Sequence, residues 1–368
     1  MVEYIIMMIL SVFFCLLASK FSNKKISIIF SFCAILIPAI IAGNRSLDIG
    51  TDINIYGNYM HYVASNFDMG YFFSIFGYSD ILFSLFTIAV AKIFQDIHIY
   101  LFLLQFLNCI LVYKACWNYK DNVPVWISYF LFLLTLYFRQ LNLLRQGLAI
   151  SFSILATSYL LKNKNKKFWF FTILSTMMHI SGILLVLIYF VNKFSNKKSD
   201  RHIFFAIIYF SLVALIFLFL PTLKLVTTLG ILPSKYTFEY FAKYINIHHE
   251  LDNLGTFFKL FWCCITLLLA GKVTIKEKVK DFNFLFHIVF LDFIFWNLNI
   301  HIHYIDRLSF YFGYVYMLFL LPQYSKFFKK DFSNQFLFYI LLIVLFVFYW
   351  YVRFVFQNAG AVYPYVHY

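Results

Sequence analysis

Charge is scarce in this chain of 368 residues: 12% are Asp, Glu, Lys or Arg, and only 16 are acidic. Proline (6) and glycine (12) are sparse too, so there is no Pro/Gly-rich linker to separate soluble domains, and no internal repeat divides the sequence. The six cysteines (Cys15, Cys33, Cys109, Cys116, Cys263 and Cys264) show neither CxxC nor paired-loop spacing, which argues against a disulfide framework and a zinc site. Walker A, GxSxG, HExxH and GxGxxG patterns are missing, so nucleotide-driven or metallohydrolase chemistry of the soluble kind has no support. What the chain has in excess is apolar surface: 63% of its residues are hydrophobic and its mean hydropathy is +0.80.

The apolar residues fall in runs near 3–19, 26–42, 97–115, 123–138, 143–161, 168–190, 203–220, 257–272, 283–300, 307–322 and 334–353. Most are long enough to cross a bilayer, so the expected fold is all-α and polytopic, with about 10–12 transmembrane or re-entrant helices. The chain reads as one integral membrane domain, residues 1–368. Ile81 to Phe94 is too short to cross and fits an interfacial or re-entrant helix. Met1 to Ser19 reads as a retained span, because no basic leader or small-residue cleavage site accompanies it.

A net charge of +14 would suggest nucleic acid in a soluble protein. Here the lysines sit between apolar runs, at Lys20–Lys25, Lys114–Lys120, Lys162–Lys167, Lys272–Lys280 and Lys326–Lys330, so the charge reports topology and no nucleic acid is expected. With these clusters cytoplasmic, the opposite face receives both termini, loops 43–78 and 221–256, and the turn HIHYIDR from His301 to Arg307. The run from Phe168 to Phe190 has basic clusters on both sides. Either it is a helical hairpin broken at His179–Gly182, which lifts His179 toward the external face, or it is a plain span followed by a basic external loop. The hairpin is the expectation, since irregular backbone is tolerated at depth where it is buried or lines a cavity.

Side chains suited to chemistry gather on the external side. RQLNLLRQG, Arg139 to Gly147, sets two arginines between apolar runs, and an arginine at membrane depth is costly unless it faces protein, water or an anion. Asn142, Arg145, Gln146 and Ala149 share a helical face. Guanidinium forks suit phosphate oxygens; the alternative is snorkelling into the headgroup layer. In RSLDIGTDINIY, Arg45 to Tyr56, Asp48 and Asp52 would share one side of a helix, although Gly50 and Thr51 favour a solvated loop. His179 is either a satisfied structural histidine or a residue able to take a hydroxyl proton. His301, His303 and Asp306 are metal-ligand types, but Arg307 beside Asp306 makes a polar substrate-facing cluster the better reading. His248, His249, Glu250 and Asp252 carry a weaker signal of the same kind.

The order of these elements resembles the EpsG family of bacterial exopolysaccharide proteins, itself similar to Wzy-type O-antigen and capsule polymerases. GNRSLDIGTDINIYGNYM, LNLLRQGLAISF, a lysine-rich turn, MMHISGIL and the terminal AVYPYV carry the likeness. The resemblance implies a polymerase that joins undecaprenyl-pyrophosphate-linked oligosaccharide repeats at the outer face of the bacterial cytoplasmic membrane. Carried over by motif, Arg145 and Gln146 match the LRQ element, His179 the histidine element, and Arg45, Asp48 and Asp52 the loop element, with Tyr56 closing it. HIHYIDR has no matching motif. The mechanism implied is attack of an acceptor hydroxyl on the anomeric carbon of the donor, with pyrophosphate leaving. Arg139 and Arg145 would stabilise the leaving group, His179 would be the base and Asp306 the reserve. Asp48 and Asp52 would bind sugar hydroxyls, with Arg45, Tyr56, Gln146, His301, His303 and Arg307 also lining the substrate. No metal and no cofactor is expected. Chain-length regulator and flippase proteins are the partners such a polymerase implies. A flippase or transporter of lipid-linked glycans, or an O-antigen ligase-like transferase, is the competing reading.

Overall fold

The computed structural model describes residues 1–53, 57–195, 253–272, 277–298, 306–328 and 332–368. Tyr56, His248, His249, Glu250, Asp252, His301 and His303 lie outside the described residues. Among the described residues there are fifteen α-helices. They are α1 (Val2–Lys20), α2 (Lys24–Gly43), α3 (Asn58–Asn66), α4 (Met69–Phe76), α5 (Ile81–Phe94), α6 (Ile97–Asn118), α7 (Val125–Leu134) and α8 (Leu136–Gln140). The rest are α9 (Leu144–Leu160), α10 (Asn165–Met178), α11 (Leu184–Ser195), α12 (Asn253–Ala270), α13 (Phe282–Asn297), α14 (Asp306–Phe319) and α15 (Phe332–Trp350). Five helical stretches are long and apolar enough to cross a membrane: Val2–Lys20, Lys24–Gly43, Ile97–Asn118, Asn253–Ala270 and Ser333–Phe356. The protein is a multi-pass, all-helical membrane protein.

The chain forms two compact units. One comprises Met1–Val186, Lys278–Lys280 and Met317–Tyr368; the other comprises Leu187–Glu277 and Asp281–Tyr316. In the first, α9 is central. Sixteen of its seventeen residues are buried, Arg145 alone being less enclosed. Gly147, Ala149, Ser151, Ser153 and Ala156 keep its girth small, so α6 and α10 pack against it closely. A helix apolar or small all round belongs in a core, and this one is there.

The local chemistry of two residues shapes the frame. Pro38 lies inside α2 and has no N–H to give the Ala34 carbonyl one turn earlier. That carbonyl instead accepts from Ser11 Oγ of α1 and from Tyr129 OH of α7 at 3.4 Å. The lost helical bond thus becomes a three-helix tie. Thr135 ends α7 with a non-helical backbone, its hydroxyl turned back to Leu131 O at 2.6 Å. The apolar run expected to continue to 138 is therefore broken there, and the short α8 redirects Arg139 and Gln140.

Ile81–Phe94 is one short helix, as its length required. Segment 43–78, read as a loop, contains α3 and α4. The run from Phe168 breaks at His179, which is extended. A 3-10 turn, Ile180–Ile183, follows and folds back on α10.

Candidate functional site

Arg145, the one incompletely buried residue of α9, stands in that helix's first turn. Its Nη1 lies 2.5 Å from Oδ2 of Asp80, the residue that opens α5; the side chains are 33% and 7% exposed. Asp80 makes no helix-capping hydrogen bond with its side chain, and Oδ1 is buried without a hydrogen-bond partner among the described residues. The sequence reading missed Asp80. Its signal, an Asp just before an apolar run, is that of an ordinary helix cap. The carboxylate is turned toward the arginine instead.

Beneath this pair a polar network fixes the helix entrance. Gln140 Nε2 donates to Ser151 Oγ at 2.7 Å, Gly147 O at 3.2 Å and Asn108 Oδ1 at 3.3 Å, while Gln105 Nε2 donates to Gln140 Oε1 at 3.2 Å. Gly147 is needed here because a Cβ on it would meet Gln140 Cγ at 2.9 Å. Gln105, Asn108 and Ser151 gave no motif; they are ordinary amides and a hydroxyl scattered through apolar helices. Arg139 points elsewhere, its Nη2 reaching Tyr349 OH at 3.3 Å and its Cζ 5.9 Å from the Phe354 ring centre.

Asn142 joins the arginine segment to the loop that begins at Arg45. Its Oδ1 accepts from Asp52 N at 2.8 Å and Thr51 Oγ1 at 3.0 Å. Gly50 adopts φ +98° and passes so near Leu141 O that a Cβ would lie 2.6 Å from it. Asp48 is exposed and accepts from Ser46 Oγ at 3.2 Å; Asp52 is half-buried. Gln146 is buried.

His179 belongs to the same end of the same helix pair. Ser175 Oγ donates to Ala149 O at 2.8 Å across the α9–α10 hairpin. Arg145 is four residues before Ala149 and His179 four after Ser175, so the two are level. The Ser181 backbone N–H donates to His179 Nδ1 at 3.3 Å, and Ser181 Oγ lies 2.6 Å from that nitrogen. A backbone N–H can only donate, so Nδ1 is an acceptor and the neutral ring carries its proton on Nε2, an assignment made from hydrogen bonding. Gly182 has no room for a side chain: a Cβ would sit 2.6 Å from Ser175 Oγ and Thr176 N.

Arg45 is enclosed. It is 2% exposed, Nε and Nη1 have no hydrogen-bond partner among the described residues, and burial pushes its pKa down to about 10 against the opposing influence of Tyr4, Tyr137 and Tyr365. It remains a cation at neutral pH. The C-terminal segment covers it. Ser46 N donates to Val366 O at 2.8 Å, Gly50 N to Ala361 O at 2.9 Å and Tyr368 N to Asn44 O at 2.9 Å, and Arg45 and His367 form an antiparallel bridge. The terminal AVYPYV therefore straps the loop that carries Arg45 in place.

Asp306 and Arg307 are half-buried at the start of α14, in the second unit. Among the described residues no group of three or more His, Cys, Asp or Glu is placed to hold a metal ion.

These helices and this helix-end cluster of arginine, carboxylate and histidine define a multi-pass membrane protein with a polar site at one end of a buried core helix. The chain matches the EpsG family over residues 28–367 and belongs to it. The family is likened to the Wzy proteins, which makes this an EpsG-family membrane protein of polysaccharide synthesis. No curated protein and no solved structure matches the chain.

Proposed function

We propose that the protein joins glycan repeat units carried on undecaprenyl pyrophosphate, by glycosyl transfer at the external face of the cytoplasmic membrane. The observation that carries this reading is Arg145: on a helix otherwise wholly buried, the one side chain left partly open is a guanidinium, level with a histidine turn and faced by a carboxylate. Membership of a family of polysaccharide synthesis supports a glycan substrate.

The acceptor hydroxyl attacks the anomeric carbon of the donor, the C–O bond to pyrophosphate breaks, and the electron pair leaves with the phosphate. Charge grows on that leaving group, so a fixed guanidinium stabilises the transition state more than the ground state. Arg145 has that role; Arg139 is turned to Tyr349 and is not assigned to it. The basic nitrogen of His179 is Nδ1, and Ser181 Oγ occupies it. The proton from the acceptor therefore passes to Ser181 Oγ as its own proton moves to Nδ1. Asp48 and Asp52, on the loop tied down by Asn142, serve sugar hydroxyls.

The test is a surface-glycan ladder from a deletion strain complemented with wild type, Arg145→Ala, His179→Ala or Ser181→Ala. The expected result is a single-repeat product in the deletion that none of the three variants extends, each being expressed at the wild-type level. Loss of all surface glycan, with lipid-linked repeats accumulating inside, would instead identify an exporter or a ligase.

A further inference from the structure

Asp80 has no part in the scheme above, yet it is the strongest unassigned feature of the site. Its carboxylate sits at the N-terminus of α5, where the helix dipole favours the anion, but it does not cap that helix. Oδ2 holds Arg145 Nη1 at 2.5 Å. Oδ1, on the same carboxylate, is buried and meets no donor among the described residues. A buried anionic oxygen without a donor is unfavourable, and a ligand that brings an O–H or N–H to it recovers what the fold leaves unmade.

The position of the missing donor is constrained. Oδ1 and Oδ2 share one carbon, so a donor on Oδ1 lies within about 10 Å of an anion on the guanidinium, a carboxylate edge plus three hydrogen-bond lengths. In a glycan linked through pyrophosphate, the sugar polar groups nearest a phosphate oxygen are those of the first sugar, while the later sugars are farther out. We propose that Asp80 is a specificity residue: it reads a hydrogen-bond donor on the sugar joined directly to the pyrophosphate, while Arg145 takes the phosphate. This rests on the function proposed above and deepens it. The pair acts as a two-pronged reader of the sugar–phosphate junction.

The experiment measures binding of two lipids to the full-length protein in nanodiscs: undecaprenyl pyrophosphate, and undecaprenyl pyrophosphate bearing one N-acetylglucosamine. Wild type is expected to prefer the sugar-bearing lipid about ten-fold, the size of one charge-assisted hydrogen bond. Asp80→Leu should erase that preference while still binding the bare lipid within about three-fold of wild type, because the arginine remains. Arg145→Ala should weaken both lipids together. If Asp80→Leu does not fold, Asp80→Asn, which keeps the shape without the charge, is expected to retain bare-lipid affinity and lower the preference. The proposal is overturned if the Asp80 variants weaken both lipids in parallel, since Asp80 then only places Arg145. It is also overturned if wild type shows no preference, in which case water suffices for Oδ1. Failure of wild type to bind either lipid removes the functional reading itself, and this proposal with it.

Discussion

Each unit contains an aspartate bound to a cation within apolar helices, and the two pairs are built oppositely. In the second unit Lys259 Nζ meets both oxygens of Asp292, at 2.5 and 2.6 Å, and Tyr316 OH donates to Oδ2 at 3.1 Å. Lys259 also lies 4.9 Å from the centre of the Trp296 ring, and the two side chains of the pair are only 7% and 1% exposed. In the first unit Arg145 is 33% exposed and Asp80 keeps one oxygen unmatched among the described residues. A closed pair of this kind belongs to the scaffold, since both carboxylate oxygens accept hydrogen bonds from within the fold. An open pair leaves capacity for a ligand. The difference lies in how completely the two carboxylates are satisfied among the described residues.

The comparison can be broken first where the effect is largest. Asp292→Ala strands the Lys259 ammonium among apolar side chains and should cost about 3–5 kcal/mol, read as a large fall in unfolding temperature in detergent. The double replacement Lys259→Met with Asp292→Leu should recover most of it, as apolar substitutes for a buried pair commonly do. Gly313→Ala probes the same pair sterically. Its new Cβ would lie 2.8 Å from Asp292 Oδ1, and the expected loss is about 1–3 kcal/mol in the same unfolding measurement.

The open pair should answer differently. Arg145→Lys, which keeps a cation beside the buried Asp80 carboxylate, is expected to change stability by about 1 kcal/mol or less, because a pair one-third exposed on one side is screened. Arg145→Ala should leave only the single-repeat glycan on the surface. A severe loss of stability in Arg145→Lys would place Arg145 with Lys259 as a scaffold residue and end the contrast. The smallest effect concerns His61, which burial holds below its usual pKa despite the nearby Asp96. A histidine kept neutral by the fold contributes stability above its unfolded pKa, about 6.5, and loses it as pH falls through the folded value. Unfolding temperature should thus decline below about pH 6.5, and His61→Phe should flatten that part of the profile.

Much of this was legible before any coordinates. Apolar run lengths gave the membrane class and most helix positions, and the short helix Ile81–Phe94 followed from length alone. The break at His179 followed from charge on both flanks of one run. Arg145 stood out because arginine is costly in an apolar helix. Asp80 did not, because an Asp before a helix is the usual cap and nothing local reveals that its side chain faces an arginine 65 positions later. Arg45 was read as a substrate ligand from its match to the loop motif, and that motif carries no sign of the tail that packs over it. Thr135 was a similar case, a single hydroxyl within an apolar run whose bond to Leu131 O accompanies the end of the helix.

The sequence by itself determined that this chain is a multi-pass helical membrane protein of the EpsG family, since hydropathy, run length and ordered motifs are properties read along the chain. Tertiary structure alone decided which charges are spent and which are left open. Satisfaction of a buried charge depends on partners distant in sequence, such as Asp80 for Arg145 and Asp292 for Lys259, and on glycines where a single methyl would not fit. Those are facts of three-dimensional proximity, and a one-dimensional pattern carries no record of them.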